Sequence, residues 1–288
     1  MPNFKSADNK TVDAIKSKNQ VHQAWTGMIL VDDTGLHVTD TGGTGIPLIY
    51  LNGQFATQNY WSKVIAELGS DFRHITYDER ARGRKSGTSS DYSFDACIRD
   101  VDAVLAARRI KKCIVIGWSY GAFIAAHWAS LNPDRCYGAV LVDGAQPYDW
   151  MTPEIATRIR KLFRRLHPLM WLLRPTGITP RLSASKMAEI NIELGWIAAK
   201  KQLDPVVNKI TVPTLYVLAS GSSLGSKGDE QELIRAGVNA VVERNPNIKI
   251  KAKVKSNHDH ILKKDFLAVA DAVREIVIRL KADNNLNE

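Results

Sequence analysis

The stretch IKKCIVIGWSYGAFIAAHWASL, residues 110–131, decides the fold predicted for this chain. It begins as an apolar run typical of a buried strand and resumes after Gly121 as an alanine-rich segment of helical pattern. Between the two stands Ser119, flanked at two residues' distance by Gly117 and Gly121. A small polar residue contributes little to packing at the end of a buried strand, so packing alone does not account for it.

Residues 117–121 spell G-x-S-x-G at a predicted strand-to-helix junction. In such a turn the serine has a strained backbone, and the glycines leave room where neighbouring segments crowd together. The hydroxyl then lies at a helix N-terminus, where free N–H groups favour developing negative charge. The sequence therefore predicts Ser119 as a nucleophile, with an ordinary glycine-containing turn as the alternative.

Strand and helix patterns alternate along most of the chain, which predicts a mostly parallel sheet with helices on both faces. Residues 147–204 break the alternation, because they hold only helical patterns and prolines, and we interpret them as an inserted helical cap. The predicted organisation is a polar leader (1–24), a core (25–146 and 205–288) and the cap (147–204). The predicted strands are 27–33, 36–42, 46–53, 72–79, 112–117, 137–144, 212–220 and 248–256, and the predicted core helices are 57–69, 93–110, 120–131, 229–246 and 265–280.

Three sequence motifs, in the order in which the family has them, make the chain resemble the α/β-hydrolase-fold family. The resemblance is to members of the esterase, haloalkane dehalogenase and epoxide hydrolase type. Besides the Ser119 turn, LIYLNGQF (48–55) stands where the family has an apolar strand ending in His-Gly. YDERARGRKSG (77–87) stands where the family has Asp-x-Arg-Gly-x-Gly-x-Ser. We interpret this second segment as a solvated loop that braces the sheet, with Asp78 and Arg80 in structural ion pairs.

The resemblance implies an oxyanion hole made by the backbone N–H groups of Tyr120 and Gln54. The chain departs from the family at Asn52, where the family has histidine. Because the donors are backbone groups, this change need not remove the hole, although Asn-Gly is also a turn signal. Phe55 is the alternative donor if the loop is shifted.

A serine nucleophile needs a base, and the resemblance implies a histidine in the loop before the last helix. VKSNHDHILKKDF, residues 254–266, offers His258 and His260. We prefer His258, because it follows a small residue pair as the family's histidine does. The sequence does not decide which carboxylate orients this histidine. We prefer Asp143, which ends a predicted strand, over Asp229, which stands where a helix cap is expected.

The nucleophile's identity narrows the predicted reaction. In family members that displace a leaving group from a carbon atom, such as dehalogenases and epoxide hydrolases, the nucleophile at this position is a carboxylate. Ser119 suits acyl transfer through an acyl-enzyme instead. We therefore expect a serine hydrolase of carboxylic esters, thioesters or lactones that requires no metal and no cofactor. The alternatives are a cofactor-free haloperoxidase or perhydrolase, and a non-catalytic ligand-binding protein on the same fold.

Composition sets the remaining expectations. The 288 residues are 44% hydrophobic with a formal charge of +9, yet no nucleic-acid-binding motif is present, so a small-molecule, hydrophobic acyl substrate is predicted. The cap holds ten Lys and Arg residues against five Asp and Glu, which leaves open an attraction to anionic substrates or to an anionic membrane surface. Cys97, Cys113 and Cys136 are expected to be reduced. A polar N-terminus and the lack of long apolar runs predict a cytoplasmic protein.

Overall fold

A computed structural model describes residues 23–221 and 230–282 of the chain, and its eight strands form one sheet. Strand β2 is antiparallel to both of its neighbours, and the other pairs are parallel. The sheet order is β1-β2-β4-β3-β5-β6-β7-β8. The predicted fold class is confirmed. The strands are β1 Trp25–Val31, β2 Thr34–Asp40, β3 Ile46–Leu51, β4 Phe72–Asp78, β5 Cys113–Trp118, β6 Cys136–Val142, β7 Thr214–Ala219 and β8 Ile248–Val254.

Helices cover both faces of the sheet. One face packs on α2, α3, α6 and α7, and the opposite face packs on α1, α8 and α9. The central strands bury both faces because they are continuous apolar runs, so alternate residues enter opposite cores. The helices are α1 Ser62–Leu68, α2 Phe94–Ala107, α3 Tyr120–Leu131, α4 Pro153–Leu173, α5 Ala184–Ile197, α6 Lys200–Asn208, α7 Glu230–Arg244, α8 Ile261–Lys264 and α9 Phe266–Ala282.

Three helices, α4 to α6, lie between β6 and β7, in the region that we predicted as the cap. Each of the two longer ones has a side-chain cap: Thr152 accepts from the N–H of Ile155, and Ser183 accepts from the N–H of Lys186. Helix α6 runs past residue 204, where we placed the end of the cap, and continues to Asn208 with Pro205 inside it. The predicted leader, residues 1–24, lies almost wholly outside the described residues.

The loop after β4 differs from the solvated brace that we predicted. Arg80 is only 2% exposed, and its guanidinium binds Asp100 and Asp32, each at 2.7 Å. Asp78 forms no ion pair within the described ranges, and its Oδ1 accepts from the backbone N–H of Gln58 at 2.8 Å. Charge alone suggested solvation, but part of the loop is folded into the protein, because its buried polar groups find internal partners through an ion pair or hydrogen bonds. Its buried polar side chains are Asp78, Glu79, Arg80, Arg82 and Ser86.

Two glycines allow helix α3 to start against the sheet. A Cβ atom on Gly117 would lie 2.1 Å from the carbonyl oxygen of Gly121, and one on Gly121 would lie 2.1 Å from that of Leu51. Both obstacles are backbone atoms, which cannot move aside as a flexible side chain can. The turn at residue 119 therefore depends on the absence of these two Cβ atoms.

We expect Gly121→Ala to lower the free energy of unfolding by about 3 kcal/mol or more, because β3 and α3 would have to separate. Gly69→Ala is the matched control: nothing lies within 4 Å of its Cβ position, and only its φ of 68° opposes the change. That substitution should cost about 2 kcal/mol, less than Gly121→Ala, because a φ of 68° with a ψ of −163° is a conformation almost restricted to glycine. Chemical denaturation measures both values, and equal losses would contradict the close packing inferred at Gly121.

Candidate active site

Ser119 is the single residue that connects the end of β5 to the start of α3. Its backbone has φ 55° and ψ −117°, a conformation that a residue with a side chain adopts only under strain. Hydrogen bonds on both sides hold it there: its N–H donates to Val142 O at 2.9 Å, and its carbonyl accepts from the N–H of Ala122 at 3.0 Å. Its side chain is therefore presented at the edge of the sheet, half-buried rather than enclosed.

His258 lies in the loop after β8, in the short 3-10 turn His258–His260. Its Nε2 is 2.8 Å from Ser119 Oγ. The ring lies beside Trp118, with centroids 5.7 Å apart, and the Trp118 indole N–H donates to His258 O at 3.3 Å. The residue before the serine thus helps to fix the imidazole that faces it.

Asp143 directly follows β6, and its Oδ2 is 2.8 Å from His258 Nδ1. Its Oδ1 accepts from the N–H of Ala219 at 3.1 Å and faces Arg235 Nε at 3.5 Å. Burial opposes ionisation of Asp143, but the hydrogen bond and the electrostatic attraction from His258, with the charge of Arg235, outweigh it and lower the pKa of Asp143. An ionised carboxylate only accepts, so Nδ1 of His258 carries a proton and Nε2 is free to accept the serine proton.

The structure thus brings Ser119, His258 and Asp143 together, and it does not bring His260 to them. His260 is exposed, and its Nδ1 lies 2.7 Å from Asn257 Oδ1. Asp229 lies outside the described residues. Sequence reasoning missed Arg235, because nothing near it in the chain indicates that helix α7 comes to the end of β6.

The two predicted oxyanion donors lie at converging chain segments. Tyr120 is the first residue of α3, and Gln54 follows the end of β3. A Cβ on Gly121 would lie 2.7 Å from Asn52 O, which shows how closely the two segments approach. The Nε2 atom of Gln54 is buried without a hydrogen-bond partner in the part of the chain that the structure describes.

Asn52, the residue that departs from the family, is buried and fully hydrogen-bonded. Its Nδ2 donates to Tyr77 O at 2.7 Å and to Glu79 Oε2 at 3.0 Å, and its Oδ1 accepts from the Trp61 indole at 2.9 Å. Its backbone N–H donates to Glu79 Oε1 at 3.2 Å. Asn52 therefore anchors the start of the loop that carries Gln54.

Glu79 is a second residue that sequence reasoning missed. It is 5% exposed, and burial raises its pKa to about 7, against the smaller lowering by its hydrogen bonds with Asn52. Its carboxyl group accepts from the backbone and side-chain N–H groups of Asn52, at the start of the loop of residues 52–55. The only sequence signal was its place inside the Asp-x-Arg motif, which does not indicate burial.

A cavity of about 320 Å³ lies at Ser119. A larger cleft of about 1050 Å³ is lined by residues of α5 and of the segment before α2, but neither Ser119 nor His258 borders it. Within residues 23–221 and 230–282, no three His, Cys, Asp or Glu side chains are grouped so as to hold a metal ion. The cavity is lined by Ser119, Phe123, Asp143, Gly144, Gln146, Tyr148, Trp150, Leu194, Ala198, Ile234, His258 and Asp259.

Comparison with known proteins agrees with the fold. The family described as alpha/beta hydrolase fold matches residues 46–172. A haloalkane dehalogenase of Mesorhizobium japonicum is 24% identical over 135 residues, which are 46% of this chain and 44% of that protein. An sn-1-specific diacylglycerol lipase of Danio rerio is 26% identical over 154 residues, 53% of this chain and 46% of that protein. The matched segments thus span less than half the length of these relatives.

Among solved structures, an esterase from Exiguobacterium antarcticum superposes with a TM-score of 0.69 at 19% identity, covering 88% of this chain and 99% of the esterase. Together with the strand order and the turn at Ser119, these matches show that the chain has the α/β-hydrolase fold. No helix among the described residues is both long and apolar enough to cross a membrane.

The pKa of Glu79 predicts a pH dependence of stability. Between pH 4.5, the ordinary pKa of a glutamate, and about 7, the folded protein holds a proton on Glu79 that the unfolded chain has released. The free energy of unfolding should therefore fall as pH rises through this window, by about 3 kcal/mol.

Glu79→Gln should remove this part of the pH slope, whereas Glu243→Gln, at an exposed position of α7, should keep it. Urea denaturation at half-unit intervals from pH 4.5 to 8 measures the difference between each variant and the unchanged protein. The same slope in Glu79→Gln as in the unchanged protein would show that Glu79 holds no proton there.

Proposed function

We propose that this protein is a cofactor-independent serine hydrolase that cleaves a carboxylic ester, thioester or lactone. One observation carries the proposal: Ser119 Oγ, both ring nitrogens of His258 and Asp143 Oδ2 form a continuous chain with two distances of 2.8 Å. A hydroxyl, an imidazole and an ionised carboxylate in this order can activate the hydroxyl as a nucleophile. The fold and its esterase-like neighbours support the same class of reaction.

In the proposed acylation, Ser119 Oγ attacks the substrate carbonyl carbon while its proton passes to His258 Nε2. The imidazolium that forms is stabilised by Asp143, which keeps Nδ1 protonated throughout. The carbonyl oxygen gains negative charge and is stabilised by the N–H groups of Tyr120 and Gln54. His258 then gives its proton to the departing alcohol, thiol or lactone oxygen, which leaves an acyl group on Ser119.

In the proposed deacylation, water replaces the leaving group. His258 Nε2 takes a proton from the water, and the resulting hydroxide attacks the acyl carbonyl. The same two N–H groups stabilise the second oxyanion. When the carbon–Oγ bond breaks, the proton returns from His258 to Ser119, so the acid is released and the residues regain their starting state.

The cavity at Ser119 favours a hydrophobic acyl group. Phe123, Trp150, Leu194 and Ile234 contribute apolar side chains to its wall. A volume of about 320 Å³ is at the small end of ligand pockets, so a short or medium acyl chain fits best. Gln146 adds a polar group to this wall, and its Nε2 has no partner among the described residues.

The first test compares Ser119→Ala with the unchanged protein on p-nitrophenyl acetate and butyrate and with a fluorophosphonate probe. We expect the probe to label the unchanged protein only, and kcat/KM to fall by at least about 10⁴-fold in the variant. Ser130→Ala is the matched control, because Ser130 is on the same helix and its hydroxyl donates to His127 O. An unlabelled and inert unchanged protein would favour a ligand-binding protein on this fold.

The second test concerns the acid. Asp143→Asn should lower kcat by about 10³ to 10⁴-fold, because an amide no longer stabilises the imidazolium and no longer fixes the proton on Nδ1. Asp229→Asn, which changes the other acid that the sequence offered, should leave kcat within about threefold. Circular dichroism and melting temperature verify that both variants fold. Equal effects of the two substitutions would refute the assignment of Asp143.

A further inference from the structure

Helix α4 has one broad apolar side, and packing covers only part of it. Ile155 and Ile159 pack beside the small cluster of Met151, Ala156 and Ile192. Phe163 and Met170 pack on the main core, and the Phe163 ring meets the Phe55 ring edge-on at 5.9 Å. These apolar contacts, together with an ion pair between α4 and α5, hold the helix on the protein.

Further leucines on this side of the helix are exposed. Leu162, Leu166 and Leu169 follow the i, i+4, i+7 spacing of one side of a helix. These three side chains, here called the apolar surface of α4, are 40% to 58% exposed. They are three of the twelve exposed large hydrophobic residues in the described ranges, and they lie within eight consecutive positions. Scattered exposed leucines need no explanation, but a continuous patch indicates a binding surface.

A row of positive charge lies beside the apolar surface. Arg158, Lys161 and Arg165, here called the basic row, are exposed and follow the i, i+3, i+7 spacing of a neighbouring side of the helix. None of the three forms an ion pair with any residue that the structure describes, whereas Arg160, further round the helix, binds Glu189 at 2.8 Å. The basic row therefore keeps its charge available to a partner.

We propose that α4 docks on the surface of a bilayer that contains anionic phospholipid. The apolar surface would enter the boundary between headgroups and acyl chains, and the basic row would contact the lipid phosphates. The proposal is independent of the proposed hydrolysis, because docking is measured without substrate.

Charge favours lipid over a second copy of the chain. A two-fold interface places the same surface on both partners, so two basic rows would face each other across it. An acidic protein would match the charge, but it would also need a groove shaped to the three leucines. A fluid anionic bilayer needs no preformed shape and satisfies both the charge and the exposed apolar side chains.

Flotation with vesicles measures the docking. The full chain is mixed with vesicles of phosphatidylcholine alone, or with 40% phosphatidylglycerol, at 50, 150 and 500 mM NaCl. We expect at least a tenfold higher partition coefficient on the anionic vesicles at 150 mM NaCl, and a decline at 500 mM as salt screens the basic row. Equal or absent binding on both vesicle types at 50 mM would overturn the proposal.

Variants separate the local surface from the overall charge. K161E/R165E and L166S/L169S should each lower the partition coefficient on anionic vesicles about tenfold. The matched controls are K249E/K253E on β8, which makes the same change of net charge, and L131S/L267S, which removes exposed leucines elsewhere. All these side chains are exposed, and melting temperatures verify folding. Losses in the controls as large as in the α4 variants would overturn the proposal.

Fluorescence locates the contact. Brominated phosphatidylcholine, mixed with phosphatidylglycerol, should quench the added tryptophan of L166W, because residue 166 lies in the apolar surface of α4. L131W, which adds a tryptophan at an exposed leucine elsewhere, should show no such added quenching. Two further outcomes would count against lipid: self-association of the unchanged chain that L166S/L169S abolishes, or binding to soluble polyglutamate that competes fully with the vesicles.

Discussion

The contact between the start of α3 and the end of β3 is the constraint on which the rest of the site depends. Gly121 lies against the carbonyl oxygens of Leu51 and Asn52 with no room for a Cβ atom, and Gly117 lies equally close to Gly121. This packing forces Ser119 into a positive φ and turns its hydroxyl out of the sheet. It also brings the loop after β3, with Gln54, to the helix N-terminus. One backbone approach thus sets both the position of Ser119, the proposed nucleophile, and the neighbourhood of the proposed oxyanion donors.

The parallel strands bring Asp143 and His258 to the same edge of the sheet as Ser119. Asp143 follows β6, and His258 follows β8, so both belong to loops at the carboxyl ends of strands, as Ser119 does. Each buried charge near this edge has an internal partner, as burial requires. Asp143 is compensated by His258, Ala219 N–H and Arg235, and Arg80 by Asp100 and Asp32. Glu79 differs from these groups, because the Asn52 groups that bind it are neutral and burial raises the pKa of its carboxyl group.

Helix α4 combines packed and exposed apolar side chains. Phe163 and Met170 hold it on the core, next to the loop that carries Gln54. Leu162, Leu166 and Leu169 widen this apolar side and stay 40% to 58% exposed. Packing on the core requires neither these leucines nor the basic row beside them. Three of the ten Lys and Arg residues of the segment 147–204 thus lie beside its exposed leucines.

The sequence by itself determined the eight strands and their helices, because apolar runs of strand length and amphipathic repeats are local signals, and it determined the turn at Ser119 because G-x-S-x-G is contiguous. It also offered His258 and Asp143, each with a rival. Only the tertiary structure decided which acid and which histidine meet Ser119, that Arg235 and Glu79 lie close by, and that the loop after β4 is buried. These depend on contacts between residues far apart in the chain, such as Asp143 and His258, and no local pattern encodes which distant groups converge.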